Sequence, residues 1–131
     1  MYQAHYLTTA GIEIYKRTID REKFINHERS KNRTENIEAI IRIVYNYFDV
    51  ELEQVKSKCR KREYINARQF AMFFIKREFN KVSLNKIGEI FGKHHATVLH
   101  AIRQVNNFLE FDPVTQRQVD ELSKKIFELY K

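Results

Sequence analysis

The sequence predicts an all-α fold, and three observations lead to that prediction. The 131 residues include only one proline and three glycines, so few positions interrupt helices. Apolar residues recur at the three- and four-residue spacing of amphipathic helices, and few runs alternate as strands do. Residues 82–108 carry the pattern of two helices joined by a tight turn. We therefore expect a helical domain with one modest core, and the chain leaves no room for a second domain of enzyme size.

Residues 1–33 are predicted to form an N-terminal extension that is partly helical. Ile12, Tyr15 and Ile19 repeat at helical spacing, but charged residues interrupt any strong apolar stripe. The extension is a candidate surface for docking on the domain, for homodimerisation or for a protein partner. The alternative is a frayed extension without a role.

Residues 34–131 are predicted to fold as the domain itself, beginning with a helix capped by Thr34. Asp49 is expected to end this helix, and a short turn follows. The residues predicted to face the core from the helix and the turn are Ile37, Ile40, Ile41, Val44, Phe48, Val50, Leu52 and Val55.

A basic segment precedes the second helix. Five of the seven residues 56–62 are lysine or arginine, a pattern that most often indicates a solvated loop. A helix is predicted over residues 64–79, with its basic residues, Arg77 among them, away from the buried stripe. That stripe comprises Ala67, Phe70, Ala71, Phe74 and Ile75.

The segment 82–108 contains the features of a two-helix motif. Ser83 can cap a short helix that carries Leu84, Ile87 and Phe91, and Gly92 can end it in the left-handed conformation. Gly88 lacks the side chain that would hold a crossing helix at a distance. A second helix is predicted from His95, with His95, Arg103 and Asn106 exposed. Its predicted buried residues are Val98, Ala101, Ile102, Val105, Phe108 and Leu109.

The last helix is predicted to start at Asp112 and Pro113, because a capping aspartate followed by proline is a strong start signal. Its predicted buried residues are Val119, Leu122, Ile126 and Leu129.

The two-helix motif is typical of helix-turn-helix proteins, which place the second helix in the major groove of DNA. Many helical domains without a DNA role share this pattern. The charge distribution is therefore needed to decide between such a domain and a DNA-binding one. Residues 56–105 contain twelve Lys or Arg and three Asp or Glu, a net charge of +9, whereas the whole chain carries +7. The excess positive charge therefore lies in the segment that holds the motif, as expected for a nucleic-acid binder.

Other function classes fit the sequence less well. A ribosomal or membrane-surface protein would spread its charge over tails or along one amphipathic helix. RNA binding is disfavoured because the basic segment lacks a row of aromatics for stacking unpaired bases. Neither a membrane span nor a signal peptide is indicated, so a cytoplasmic, nucleoid-associated protein is predicted.

Catalytic and metal sites are also disfavoured. Cys59 is the only cysteine, so it cannot form an internal disulfide or a Cys-based zinc site, and nothing in the sequence supports a reactive thiol. His94, His95 and His100 are the candidate metal ligands, but His95 and His100 point about 140° apart on a helix. We expect no cofactor and no metal.

Two runs carry a family resemblance. SKCRKREYINARQFAMFFIKREF, followed by SLNKIGEIFGKHHATVLHA, resembles the C-terminal DNA-binding domain of the bacterial replication initiator DnaA, whose hallmark reads approximately FGGRDHTTVxHA. The resemblance covers residues 34–131. It implies a helical domain related to the Trp repressor fold that recognises short double-stranded boxes at the replication origin.

The resemblance also implies residue roles. Arg60 would enter the minor groove, and Arg68, Gln69, Lys76 and the helix start at residues 83–85 would hold phosphates. Residues 95–97 would face base edges. Together with the charge pattern, the predicted DNA-binding residues are Lys58, Arg60, Lys61, Arg62, Arg68, Gln69, Lys76, Ser83, Leu84, Asn85, Lys93, His94, His95, Ala96, Thr97 and Arg103.

This sequence departs from the hallmark, since FGKHHATV replaces FGGRDHTTV. His94 stands in place of an aspartate that can accept a hydrogen bond from a cytosine or adenine amino group, so the preferred box is expected to differ. No phosphate-binding loop is present, and no ATPase activity is expected. We predict a non-enzymatic protein with a preference for certain double-stranded DNA sequences and a role in replication initiation or its regulation. The alternative is a helical interaction module or transcription regulator without that specificity.

Overall fold

A computed structural model describes residues 33–56, 58 and 60–129 of the chain. Five α-helices follow one another: α1 (Arg33–Tyr47), α2 (Arg62–Glu78), α3 (Leu84–Phe91), α4 (His95–Leu109) and α5 (Pro113–Glu128), with a short 3-10 helix (Leu52–Gln54) after α1. Within these described ranges no residue belongs to a strand. The predicted all-α fold is confirmed. The helix expected within the N-terminal extension lies outside the described residues.

Helix α2 lies at the centre of the domain, in contact with α1, α3 and α4, while α5 packs against α1 and α4. Its segment 71–75 is buried on all sides. A helix that is apolar around its whole circumference is typical of the middle of a bundle. The largest fully buried side chains include Tyr45, Phe73 and Phe91, which come from three different helices.

Most predicted core residues are buried, but five are not fully buried. Leu52, Phe108 and Leu129 are exposed, and Phe48 and Val55 are only partly buried against the core. The buried face of α4 includes Asn106, which is 7% exposed although it was predicted to face solvent. Phe108 therefore lies at the edge of that stripe, where sequence spacing alone does not assign a side.

Two helix starts differ from the predictions. Thr34 lies inside α1, whose described residues start at Arg33, so the predicted cap at Thr34 is wrong. Helix α2 begins at Arg62, two residues before its predicted start, and Lys61 precedes it without a capping side chain. Arg62 is therefore helical and extends α2 toward the basic segment.

The prediction that Arg77 lies away from the core is also wrong. Its side chain is buried between α2 and α5, where it donates to Ser123 Oγ at 2.9 Å and to Glu78 Oε2 at 3.1 Å. The guanidinium carbon lies 4.5 Å from the centre of the Phe74 ring. These contacts provide the partners that a buried charge requires.

Candidate nucleic-acid interface

The start of α3 has the predicted cap. Ser83 adopts an extended backbone, and its hydroxyl accepts a hydrogen bond from the Lys86 backbone N–H at 3.0 Å. Leu84 is partly buried, whereas Ser83 and Asn85 are exposed. The exposed helix start leaves backbone N–H groups of the first turn facing solvent, an arrangement that favours anions.

Lys76 fixes the turn that leads into α3. Its ammonium donates to the carbonyl oxygen of Asn80 at 2.8 Å and to that of Val82 at 2.7 Å. Burial lowers the pKa of Lys76. An ammonium has three donors, and two of them are used on the backbone here. The structure thus gives Lys76 a positioning contact that the sequence did not indicate, beside the phosphate contact predicted for it.

The turn between α3 and α4 depends on Gly92, which ends α3, and on Gly88, which lies within α3 against the turn. Gly92 has φ of 66°, the left-handed conformation predicted for it, and the Lys93 N–H donates to the Gly88 carbonyl at 2.8 Å. A Cβ atom added to Gly88 would lie 2.3 Å from the Lys93 carbonyl oxygen. The close approach expected at Gly88 is therefore present, but the neighbour is the turn rather than the body of α4.

The start of α4 is exposed along residues 94–97. His94 is its N-cap, and its Nδ1 accepts a hydrogen bond from the Ala96 backbone N–H at 3.1 Å. The rings of His94 and His95 are 4.2 Å apart and tilted by 35°. A shallow depression adjoins this helix start, and its lining residues are Asn85, Gly88, Glu89, Gly92, Lys93, His94 and His95.

Cations from three parts of the chain meet beside this turn. The pKa of Lys93 is lowered by its burial and by the nearby charges of Arg68, Lys58 and Arg60. The side chain of Lys56 also lies beside the turn, since a Cβ added to Gly92 would be 3.6 Å from the Lys56 Cβ. We call these five residues the basic cluster. Lys56 was not among the predicted site residues. The sequence signal that could have identified it is the basic run at residues 56–62, which contains it.

Other predicted site residues lie elsewhere. Arg62 and Gln69 line a groove of about 430 Å³ between α2, α4 and α5, whose far wall includes Phe108 and Val114. Gln69 thus borders this groove, although its chain neighbour Arg68 belongs to the basic cluster.

Two further cations of the predicted set, Lys61 and Arg103, are not part of the basic cluster as defined above. The Lys61 ammonium lies 6.0 Å from the centre of the Tyr64 ring. Arg103 is exposed two turns along α4 from the helix start.

The described part of the chain holds neither a metal-binding cluster nor a membrane span. Three or more His, Asp or Glu side chains nowhere come together there in a group that could hold a metal ion. No helix in those ranges is long and apolar enough to cross a membrane.

Comparison with known proteins gives the family. The family model for the bacterial dnaA protein helix-turn-helix matches residues 37–105, which include α3, the turn and the start of α4. The chain belongs to the bacterial DnaA helix-turn-helix family. The family resemblance carried by the basic segment and the two-helix motif is thereby confirmed, and with it the DNA-binding class of the chain.

Relatives within the DnaA family are chromosomal replication initiator proteins. The protein from Flavobacterium psychrophilum is 40% identical over 116 residues, which cover 88% of this chain and 23% of the relative. The one from Bacteroides thetaiotaomicron is 39% identical over 107 residues, which cover 79% of this chain and 23% of the relative. The protein from Thermoanaerobacter sp. is 38% identical over 97 residues, which cover 74% of this chain and 22% of the relative. The chain thus spans less than a quarter of the length of these DnaA proteins.

Proposed function

We propose that this chain binds short double-stranded DNA boxes of the DnaA type and acts in replication initiation or its regulation. The observation that supports this most is the position of the basic cluster beside the exposed start of α4. A helix-turn-helix domain inserts that end of its second helix into the major groove, where flanking cations meet the phosphate backbone. Action on such boxes would occur at the nucleoid.

In this proposal the residues around the turn have two kinds of role. Arg60 reaches into the minor groove, while the other members of the basic cluster and the α3 start at residues 83–85 contact phosphates. Residues 94–97 face base edges, where Thr97 can donate or accept a hydrogen bond and offer its methyl group to thymine. The chain performs no catalytic step and requires no ATP or other cofactor for binding.

The first test measures duplex affinity as a function of salt. Each phosphate neutralised contributes a log–log slope of about −0.9, so the affinity should fall steeply as salt increases. The Lys58→Ala/Arg60→Ala variant should bind every duplex more weakly and show a shallower slope. Lys124→Ala/Lys125→Ala is the matched control, because it removes the same charge from an exposed part of α5.

Sequence preference requires a second test. Selection of bound duplexes from a random pool should enrich one short box, and His95→Ala should reduce discrimination at one base pair by about 1–3 kcal/mol. Enrichment of no box, with a steep salt response, would limit the function to non-specific DNA binding.

One observation favours a second function, that of a protein-interaction module. Phe108, Phe111 and Val114 are 43%, 68% and 47% exposed, and the rings of Phe108 and Phe111 are 5.7 Å apart. Neighbouring exposed apolar side chains often mark a contact surface. A duplex affinity that does not respond to salt or sequence would favour this second function over DNA-box recognition.

A further inference from the structure

The hydrogen bond made by His94 determines which of its ring nitrogens carries a proton. Nδ1 accepts from the Ala96 N–H at 3.1 Å, so this nitrogen is not protonated while the cap is formed. A neutral imidazole has one N–H and one acceptor nitrogen. The proton of the capped ring is therefore on Nε2.

The position of the ring leaves that N–H available. His94 is exposed at the start of α4, and the centre of its ring lies 4.2 Å from that of the His95 ring, with the two planes tilted by 35°. The capping bond at Nδ1 and the contact with the His95 ring together restrict the rotation of the His94 ring. Nε2 lies on the side of the ring away from Nδ1, the nitrogen that makes the capping bond.

We propose that His94 reads DNA as a hydrogen-bond donor, through its Nε2–H, and selects a base that presents an acceptor in the major groove. This inference rests on the proposed DNA-box binding and adds the chemistry of one contact. The acceptors available there are N7 and O6 of guanine, N7 of adenine and O4 of thymine. The amino groups of cytosine and adenine are donors and give this N–H no partner.

The donor character does not depend on the protonation state of the ring. Protonation would add a hydrogen to Nδ1 and break the cap, but Nε2 would still carry its own hydrogen. An aspartate at this position would behave in the opposite way, since one carboxylate oxygen can cap the helix while the other accepts. The replacement of aspartate by His94 thus reverses the direction of the hydrogen bond.

Two nearly isosteric variants separate donor from acceptor. His94→Asn and His94→Asp both carry good capping side chains, so both should keep α4 intact. The asparagine would cap through its oxygen and present an N–H, whereas the aspartate would present only acceptors. Circular dichroism and melting temperature check that both variants fold as the parent does.

The experiment is a competition assay in which each base pair of the selected box is replaced by the three alternatives. His94→Asn should keep the parental ranking at every pair. His94→Asp should change it at one pair, by about tenfold, toward the base that presents an amino group. A parental ranking in His94→Asp, or the same altered ranking in both variants, overturns the donor assignment while DNA binding stands. If the parent protein binds no duplex at all, the proposed function itself fails.

Discussion

Of the two glycines in the described ranges, Gly88 has less room for a side chain than Gly92. Alanine usually stabilises a helix relative to glycine, by about 0.5–1 kcal/mol. At Gly88 the added Cβ would lie 2.3 Å from the Lys93 carbonyl oxygen, which is backbone and cannot turn aside. We expect Gly88→Ala to destabilise the fold by about 1–3 kcal/mol, as overpacking does. Thermal melting measures this, with Asn107→Ala at an exposed site of α4 as the control. A melting temperature equal to the parent's would contradict the close approach.

Replacement of Lys76 can separate its role in holding the turn from its predicted contact with a phosphate. Lys76→Met keeps the side chain's length but removes both carbonyl bonds, so the free energy of unfolding should fall by about 1–3 kcal/mol. Loss of a phosphate contact would also make the salt slope of duplex binding shallower by roughly one unit. Lys81→Met, an exposed neighbour, is the control for charge alone. An unchanged stability would mean that the bonds to Asn80 and Val82 contribute nothing to the turn.

The residues that could be predicted from sequence are those whose partners are close along the chain. Ser83 and Gly92 carry their roles in local chemistry, namely a cap and a positive φ, and each was assigned correctly. Arg77 could not be assigned this way, because its partner Ser123 lies 46 residues away. The capping bond of His94 is local, yet histidine is not among the preferred capping residues, so no sequence signal indicated it.

Helix α5 begins with a cap that makes stability depend on pH. Asp112 accepts from the Thr115 hydroxyl at 2.7 Å and from the backbone N–H groups of Thr115 and Val114. The Thr115 hydroxyl, followed by the backbone donors, lowers the pKa of Asp112 although partial desolvation opposes them. A carboxyl whose pKa is lower in the folded state contributes its stability above the unfolded pKa and loses it as the pH falls through the folded pKa.

We therefore expect Asp112→Asn to have a flatter stability profile than the parent below the ordinary carboxyl range, because its neutral amide still caps the helix but does not titrate. Urea unfolding at a series of pH values from neutral to acid measures the difference. Glu38→Gln, at an exposed site of α1, is the control. Parallel profiles for the parent and Asp112→Asn would show that this cap does not contribute to acid sensitivity.

The order and type of the helices follow from the sequence more reliably than their edges do. Asp112 and Pro113 mark the start of α5 without help from the rest of the fold. By contrast, the start of α2 and the exposed side of α4 depend on how neighbouring helices pack. The face of α4 that carries Asn106 is buried by tertiary contacts, which spacing within one helix cannot specify.

At the scale of the whole molecule, the basic cluster brings like charges together in the free protein. Burial, and then the charges of Arg68, Lys58 and Arg60, lower the pKa of Lys93, which means that its charged form is disfavoured where it lies. Added salt screens such repulsion over about 10 Å at 0.1 M ionic strength. Surfaces kept for binding often reduce stability in this way, and removal of the charges then stabilises the fold while function is lost.

The Lys58→Ala/Arg60→Ala variant should therefore have opposite effects on stability and on binding. At low salt its melting temperature should exceed the parent's, and the difference should shrink as salt is added, because screening removes the same repulsion from the parent. Its affinity for every duplex should fall in the same buffers. Melting scans and duplex titrations over one salt series measure both, and Lys124→Ala/Lys125→Ala should change neither by as much. A variant that melts below the parent at low salt would show that these two cations stabilise the free domain, and the basic cluster would then have a structural role as well as the proposed one at the phosphate backbone.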